Sequence, residues 1–165
     1  HNLFLLKAFT KRYAMPGIRL GYGITENREL LEAMTQVTQP WNISVMAQAA
    51  GIAALKESAY VEKGRQMVFG EAKYLKEELA SLGMQVYPSE ANYIFFRGPE
   101  NLFEICAQQN VLIRDCSNYS GLRKGFYRVA VRTHEENKQL IRAIKDGTMA
   151  AAVAHAAALE EEEQA

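Results

Sequence analysis

The feature that most constrains the fold is a lysine and an arginine on either side of a short turn near the start of the chain. The apolar run Leu3–Leu6 precedes the turn and predicts a buried strand. Thr10 and Lys11 stand where that strand should end, and Arg19 follows eight positions after Lys11, between two glycines. Glycine and proline in such a segment favour a tight bend. The sequence therefore predicts that a hydroxyl, an amine and a guanidinium lie close together.

This set of side chains suits a phosphorylated aldehyde. A lysine amine forms a Schiff base with an aldehyde cofactor. A hydroxyl and a guanidinium nearby can hold the phosphate of the same cofactor, the arginine through a bidentate pair of hydrogen bonds. The alternative is a strand and turn whose lysine is only solvated.

The stretch Phe9–Tyr22 resembles the pyridoxal 5'-phosphate (PLP) lysine motif of the class I/II aminotransferases, which are fold-type I enzymes. The resemblance implies PLP as the cofactor, with Lys11 as the Schiff-base lysine and Thr10 and Arg19 as phosphate ligands. The first hydroxyl of the motif falls on Ala8, so one phosphate contact of the family is missing here.

A second pair of positions lies further along the chain. The segments Val111–Cys116 and Phe126–Arg132 predict two strands that we expect to be neighbours, with Arg114 in one and Arg128 in the other. An arginine buried in a β pattern is costly unless an anion meets it. The pair therefore indicates a doubly anionic ligand; the alternative is two exposed arginines on an edge strand.

Both arginine segments resemble in amino-acid sequence the threonine-phosphate decarboxylase branch of the family, which is close to the histidinol-phosphate aminotransferases. The resemblance implies that Arg128 holds the substrate α-carboxylate and Arg114 the substrate phosphate. Asn92, which precedes an aromatic in a predicted strand, is a further substrate-binding candidate, unless it only hydrogen-bonds to backbone. Arg132 stands where the related aminotransferases have glycine, which favours the decarboxylase branch.

The predicted fold class is α/β, and the resemblance implies the C-terminal part of a fold-type I PLP-dependent transferase. We expect the end of the large domain over residues 1–56, a bridging helix over 57–83, a small α+β domain over 84–147 and an Ala/Glu-rich surface tail over 148–165. In the family the lysine lies well past the middle of the polypeptide, so we expect a fragment. The remainder would hold the acidic partner of the pyridine nitrogen, the ring-stacking aromatic and the tyrosine at the phenolic oxygen.

Several helices follow from hydrophobic periodicity and capping residues. They are predicted over 27–37 with Thr25 as the cap, from Ser44 past Leu55, over 60–82 before Gly83, over 101–109 before Asn110, and from Thr133 to Gly147. Thr133 and Glu136 form a capping-box pattern, and His134 is interpreted as a solvated residue of the first turn. The acidic run Glu160–Glu163 is expected to repel itself and fray.

Composition excludes some classes of function. The chain has 165 residues, 48% hydrophobic and 23% charged, with a net charge of +0, which suits a globular protein and indicates neither a nucleic-acid nor a membrane surface. No apolar run approaches the ~20 residues of a membrane span. Cys106 and Cys116 lack metal-site spacing and are interpreted as reduced thiols of a cytoplasmic protein.

The expected function is decarboxylation of L-threonine O-3-phosphate to (R)-1-aminopropan-2-yl phosphate, a step of cobalamin biosynthesis in the resembled branch. One alternative is transamination of the histidinol-phosphate type, and another is an inactive fragment that lacks half of the cofactor site. The resemblance implies a small phosphorylated amino-acid substrate, and a homodimer for the full-length protein.

Overall fold

The computed structural model describes the backbone of residues 2–163 and the side chains of that range except those of 155 and 157–163. The chain forms two compact units, residues 1–65 and 66–165, and the boundary between them falls inside a long helix.

The first unit contains a two-stranded antiparallel sheet and short helices. Its elements are β1 (Leu5–Ala8), α1 (Phe9–Arg12), a 3-10 turn (Pro16–Ile18), β2 (Gly21–Ile24), α2 (Arg28–Val37), α3 (Val45–Ala54) and the start of α4 (Ser58–Ser81). In the pairing of β1 with β2, Leu5 lies opposite Ile24 and Ala8 opposite Gly21.

The prediction of a buried strand at Leu3–Leu6 is wrong. The strand begins at Leu5, and its side chains are exposed, with Leu6 at 79%. Among the described residues β1 pairs only with β2, and a two-stranded ribbon has too little surface to bury its own apolar side chains.

Side-chain caps define the starts of α2 and α3. The Asn27 side chain accepts a hydrogen bond from the Leu30 N–H at 3.0 Å. The predicted cap Thr25 is therefore wrong; its hydroxyl instead accepts from the Asn27 N–H and donates to the Leu3 carbonyl. Ser44 caps α3 by accepting from the Ala47 N–H at 3.1 Å, which confirms the predicted start of that helix.

The second unit is a four-stranded antiparallel sheet with helices packed on one face. Its elements are the rest of α4, β3 (Gln85–Val86), β4 (Tyr93–Arg97), α5 (Leu102–Gln108), β5 (Arg114–Asp115), β6 (Phe126–Ala130) and α6 (His134–Glu163), and the strand order is β3-β4-β6-β5. Two predicted helix stops are confirmed, because Gly83 and Asn110 adopt positive φ angles of 78° and 58°.

Alternation along the two inner strands separates a core face from an open face. Ile94 and Phe96 of β4 and Tyr127 and Val129 of β6 are buried. They pack in one cluster with side chains of α4, α5 and α6, including Leu75, Leu79, Leu102, Ile105, Leu140 and Ile144. The intervening residues of the same strands point to the other face, as the period of two requires.

The last helix is longer than predicted. The predicted end at Asp146–Gly147 is wrong, because α6 continues to Glu163. Gly147 is buried, and a Cβ there would lie 2.5 Å from Ile105 Cγ2 of α5. This glycine therefore permits two helices to approach each other and does not end one. Ala151 also packs against the core cluster, whereas the side chains of the acidic run lie outside the described residues.

A polar cluster joins α4 to the start of α6. His134 is exposed in the first turn of α6, as predicted, and it also has partners: its Nδ1 lies 3.1 Å from Glu71 Oε1, and its ring lies 5.0 Å from the Tyr74 ring. The buried Asn137 side chain donates to Glu71 at 2.8 Å and exchanges hydrogen bonds with the backbone of Arg132. Thr133 donates its hydroxyl and N–H to Glu136, which forms one half of the predicted capping box.

None of the described helices combines the length and the apolar character that crossing a membrane requires. Cys106 and Cys116 are both free and buried.

Candidate active site

The predicted cofactor residues lie on one loop that backbone hydrogen bonds close. The Phe9 N–H donates to the Leu20 carbonyl at 3.0 Å. Thr10 directly follows Phe9, and Arg19 directly precedes Leu20. This bond therefore brings the backbone of Thr10 beside that of Arg19, although the two residues are nine positions apart in sequence.

The short helix α1 is anchored by its first residue. Phe9 is buried, stacks on Tyr13 with the ring centroids 4.8 Å apart, and accepts backbone hydrogen bonds from Tyr13 and Met15. Thr10 is half-buried, whereas Lys11 is exposed. The anchored aromatic thus fixes the helix and leaves the lysine amine accessible.

Arg19 has an unusual backbone conformation. Its φ and ψ are 56° and 41°, the left-handed region that a non-glycine residue enters at a cost of about 1–2 kcal/mol. The Arg19 side chain turns back over the 3-10 turn and donates from Nη1 to the Pro16 carbonyl at 3.0 Å. Strained residues held by their surroundings occur most often at ligand sites.

The two strands approach closely beside this loop. A Cβ at Gly21 would lie 2.8 Å from the Lys7 carbonyl oxygen, which a side chain does not allow. Glycine at this position therefore permits the pairing of β1 with β2 that sets the ends of the loop.

The side chains of this loop include the chemical groups that the aldehyde and phosphate ends of PLP require. Lys11 supplies the amine that an aldehyde requires, and Thr10 supplies a hydroxyl. A guanidinium carries five N–H donors, and Arg19 uses one nitrogen on Pro16, so donors remain for a phosphate.

An open cleft of about 640 Å³ lies on the sheet of the second unit. It is lined by Pro88, Ser89, Glu90, Ala91, Tyr93, Phe95, Cys116, Tyr119 and Arg128. The strand residues among them, Tyr93 and Phe95 of β4 and Arg128 of β6, alternate with the buried residues and so share the open face.

The structure brings the two predicted substrate arginines together. Arg114 of β5 is the register partner of Arg128 of β6, so the prediction of neighbouring strands is confirmed. Arg114 lies on the edge strand and is exposed, whereas Arg128 lies on an inner strand, is half-buried and lines the cleft. The alternative of an exposed arginine on an edge strand therefore applies to Arg114 but not to Arg128.

Aromatic rings support both guanidinium groups. The Arg128 guanidinium carbon lies 4.8 Å from the centroid of the Tyr93 ring, and that of Arg114 lies 5.4 Å from the centroid of the Tyr119 ring. Arg114 also donates from Nη2 to Asn118 Oδ1 at 3.0 Å. Neither arginine has a carboxylate ion-pair partner within the part of the chain that the structure describes.

Nearby acidic and thiol groups do not neutralise the pair. The Asp115 carboxylate accepts a hydrogen bond from the Ser117 N–H at 2.8 Å. Cys116 lines the cleft, and burial raises the pKa of its thiol, while the charges of Arg128 and Arg114 act in the opposite direction. A second thiol, Cys106, lies in the core, where burial raises its pKa to about 11.

Asn92 lies beside the cleft. It is exposed, its carbonyl accepts from the Val131 N–H at 2.9 Å, and its neighbours Ala91 and Tyr93 line the cleft. A substrate-binding role for Asn92 stays a prediction.

Sequence reasoning missed Tyr93 and Tyr119. The alternation in β4 places Tyr93 on the face opposite the buried Ile94, so this signal was present. Tyr119 lies in the irregular segment after β5, where no periodicity marks a direction.

Comparison with known proteins identifies the family. Residues 1–144 match the family described as aminotransferase class I and II. The chain belongs to that family. Its mixed α/β fold matches that of PLP-dependent aminotransferases of fold type I.

Two curated relatives carry different names. A histidinol-phosphate aminotransferase of Moorella thermoacetica is 34% identical over 88% of this chain and 38% of its own length. A threonine-phosphate decarboxylase of Salmonella typhimurium is 32% identical over 88% of this chain and 41% of its own length. The chain thus spans about two-fifths of these relatives.

A solved family member has a similar structure. The histidinol-phosphate aminotransferase from Clostridium acetobutylicum has a TM-score of 0.83 and 36% identity, over 87% of this chain and 45% of that protein.

Proposed function

We propose that the complete protein is a PLP-dependent enzyme that decarboxylates L-threonine O-3-phosphate. The observation that carries this proposal is the register pair of Arg114 and Arg128, two arginines without a carboxylate partner among the described residues, beside an open cleft. Such a pair is suited to a small ligand with two anionic groups, and a phosphorylated amino acid has a carboxylate and a phosphate.

Three residues of the first unit are assigned to the cofactor. Lys11 would hold the aldehyde carbon of PLP, and Thr10 and Arg19 would hold its phosphate. Bound PLP supplies an electron sink for negative charge that develops at the substrate Cα. When the Lys11 amine is free, it would carry a proton to or from Cα as a general acid–base group.

Two residues of the second unit are assigned to the substrate. Arg128, supported by Tyr93, would bind the α-carboxylate, and Arg114 would bind the phosphate. By binding the carboxylate and the phosphate, the two arginines would orient the substrate and so select which bond at Cα is broken. Asn92 is proposed as a further substrate contact.

Transamination of the histidinol-phosphate type is the second candidate. It is favoured by the Moorella relative and by the Clostridium structure at 36% identity. Both reactions use the same cofactor residues, Lys11, Thr10 and Arg19. Histidinol phosphate has a phosphate but no carboxylate, so the arginine pair would bind that substrate through its phosphate alone. Arg132, where the aminotransferases usually have glycine, favours the first candidate.

Product analysis with the full-length protein tests the reaction. Incubated with PLP and L-threonine O-3-phosphate, the protein is expected to release carbon dioxide and an amino-alcohol phosphate. If a keto-acid acceptor is added and the substrate is instead converted to its own keto acid while the acceptor is aminated, the second candidate would replace the first. Absence of both products, and of turnover with histidinol phosphate, would contradict the assignment of a phosphorylated substrate.

Cofactor binding is tested separately. The full-length protein is expected to show a visible absorption band with PLP, and borohydride reduction should add the cofactor mass to the peptide that contains Lys11. Lys11→Ala should abolish both signals, whereas Lys7→Ala, a matched change of an exposed lysine on β1, should retain them. The same measurement on the 165-residue chain tests the alternative of an inactive fragment, which predicts no band.

A further inference from the structure

The pairing of Arg114 with Arg128 raises a physical problem. Like charges directly opposite each other on neighbouring strands are destabilising, and the described residues provide no carboxylate to neutralise either one. Something other than an ion pair must therefore hold the two guanidinium groups in place.

Aromatic rings provide that support without occupying the hydrogen-bond donors. A cation over a ring face is attracted by the π electrons, and its N–H groups stay available for a ligand. A carboxylate partner would instead accept those N–H bonds and cancel the charge. Tyr93 and Tyr119 therefore hold the arginines in a state that can still bind an anion.

The two arginines are not held equally. Within the described residues, the Arg128 side chain makes no hydrogen bond, but the sheet partly buries it. Arg114 is exposed and on the edge strand, where a long side chain has much rotamer freedom to lose. Two contacts from the next loop, the Tyr119 ring and Asn118 Oδ1, restrict it.

The loop that provides these contacts is itself fixed. The Cys116 N–H donates to the Phe126 carbonyl at 2.9 Å, and the Ser117 N–H donates to Asp115 Oδ1 at 2.8 Å. The Tyr119 N–H donates to the Cys116 carbonyl at 3.1 Å. Asn118 and Tyr119 thus lie in a turn attached to the start of β6, and Tyr119 lines the cleft.

We propose that Asn118 and Tyr119 are positioning residues that orient Arg114 toward the phosphate of the substrate. This inference rests on the proposed function, because it takes a phosphorylated amino acid as the ligand. It assigns specificity for the phosphate to a loop outside the regular elements. Binding of the carboxylate by Arg128 should be independent of that loop.

Equilibrium binding tests the inference. We would use the full-length protein in a Lys11→Ala background, in which binding can be measured calorimetrically without turnover. The probes are O-phospho-L-threonine and L-threonine, which differ in the phosphate alone. Tyr119→Leu should weaken binding of the phosphorylated probe about twofold to fivefold and weaken binding of L-threonine by less. Tyr119→Phe keeps the ring and should restore wild-type affinity.

Asn118 provides a second, sharper variant. Asn118→Asp places a carboxylate at the present amide oxygen, 3.0 Å from Arg114 Nη2. That carboxylate should compete with the phosphate and weaken binding of O-phospho-L-threonine at least as much as Tyr119→Leu does. Asn118→Ala should have a smaller effect, because it removes one contact without adding a charge.

Tyr93→Leu is the matched comparison. It should weaken binding of both probes, because Arg128 is assigned to the carboxylate that both contain. Equal losses for both probes in Tyr119→Leu, no loss in Tyr119→Leu, or failure of Tyr119→Phe to restore affinity would each overturn the inference. Binding of O-phospho-L-threonine with these selective losses, but without decarboxylation or transamination by the wild type, would reject the proposed reaction and retain the positioning roles.

Discussion

The two units of the chain differ in how they hold their candidate residues. The first unit buries few side chains, among them Phe9, Ala47 and Ala54, and exposes many large apolar ones, with Trp41 at 97%. The second unit has a continuous core beneath a four-stranded sheet. In the first unit the lysine and arginine lie on a loop whose ends are held by the pairing of β1 with β2 and by the backbone hydrogen bond from Phe9 to Leu20. In the second, the arginines are placed by the register of two strands.

The difference teaches that a site can depend on local or on long-range structure. A loop of a dozen residues specifies its own geometry through turn residues, so the prediction that Lys11 and Arg19 share one site needs little tertiary information. Strand register depends on which faces are buried. The pairing of Arg114 with Arg128 therefore depends on the core beneath them.

The largest expected effect is in the second core. Leu75→Ala should lower the free energy of unfolding by about 2–5 kcal/mol, because Leu75 is fully buried and its removal leaves a cavity. Leu55→Ala in the first unit removes a side chain that is 58% exposed and should cost much less. Urea unfolding followed by circular dichroism measures both. Equal losses of unfolding free energy in the two variants would mean that the two units are equally well packed, which would contradict the difference described above.

Gly147 tests the close approach of α5 and α6. Alanine is favoured over glycine in a helix interior by about 1 kcal/mol, but a Cβ here would lie 2.5 Å from Ile105 Cγ2. Overpacking costs about 1–3 kcal/mol, so Gly147→Ala should be net destabilising in a thermal melt. Gly70→Ala in α4 has no atom within 4 Å of its Cβ and should stabilise. If Gly147→Ala and Gly70→Ala both stabilise the protein, the contact between α5 and α6 can accommodate an added methyl group at little cost.

Gly51 is the corresponding glycine of the first unit. A Cβ there would overlap the tip of the Leu20 side chain, which is flexible and half-buried and so would have to move. Because Leu20 can turn away, Gly51→Ala should change the free energy of unfolding by roughly 0.5 kcal/mol or less, as the helix preference offsets the displacement. A loss as large as that of Gly147→Ala would indicate that the first unit is packed as rigidly as the second.

The smallest expected effect is the pH dependence of one surface pair in the second unit. The hydrogen bond from Arg132, followed by those from Thr133, lowers the pKa of Glu136 from 4.5 to about 2. The stabilisation should be fully present above the ordinary pKa of 4.5 and be lost as the pH falls toward about 2. Solvent screening keeps it small, because the pair is exposed.

Carboxyl NMR titration measures that pKa directly. Arg132→Ala should raise the pKa of Glu136, but not to its ordinary value, because Thr133 still donates two hydrogen bonds. Arg132→Lys keeps the charge and should produce a smaller rise. An unchanged pKa in Arg132→Ala would mean that the helix start alone sets the pKa of Glu136.

Sequence reasoning succeeded where one residue determines local geometry. Ser44 starts α3, and Gly83 and Asn110 stop helices through positive φ angles. It failed where two nearby residues compete for one role, and where a distant partner decides. A hydroxyl before α2 predicts Thr25 as its cap, but Asn27 lies closer to the free N–H groups and accepts from Leu30. A glycine such as Gly147 is typical of a helix end. It lies inside α6 because Ile105 of α5 leaves no room for a side chain there.

The sequence by itself determined the family and the α/β fold, and it predicts the set of residues around Lys11, because those depend on short stretches in which chemistry and turn geometry coincide. Tertiary structure decided that Arg114 lies opposite Arg128, that tyrosines support both, and that α6 continues past Gly147. These features join residues far apart in the chain. Their geometry is fixed by strand register and by the packing of buried side chains, which no local pattern encodes.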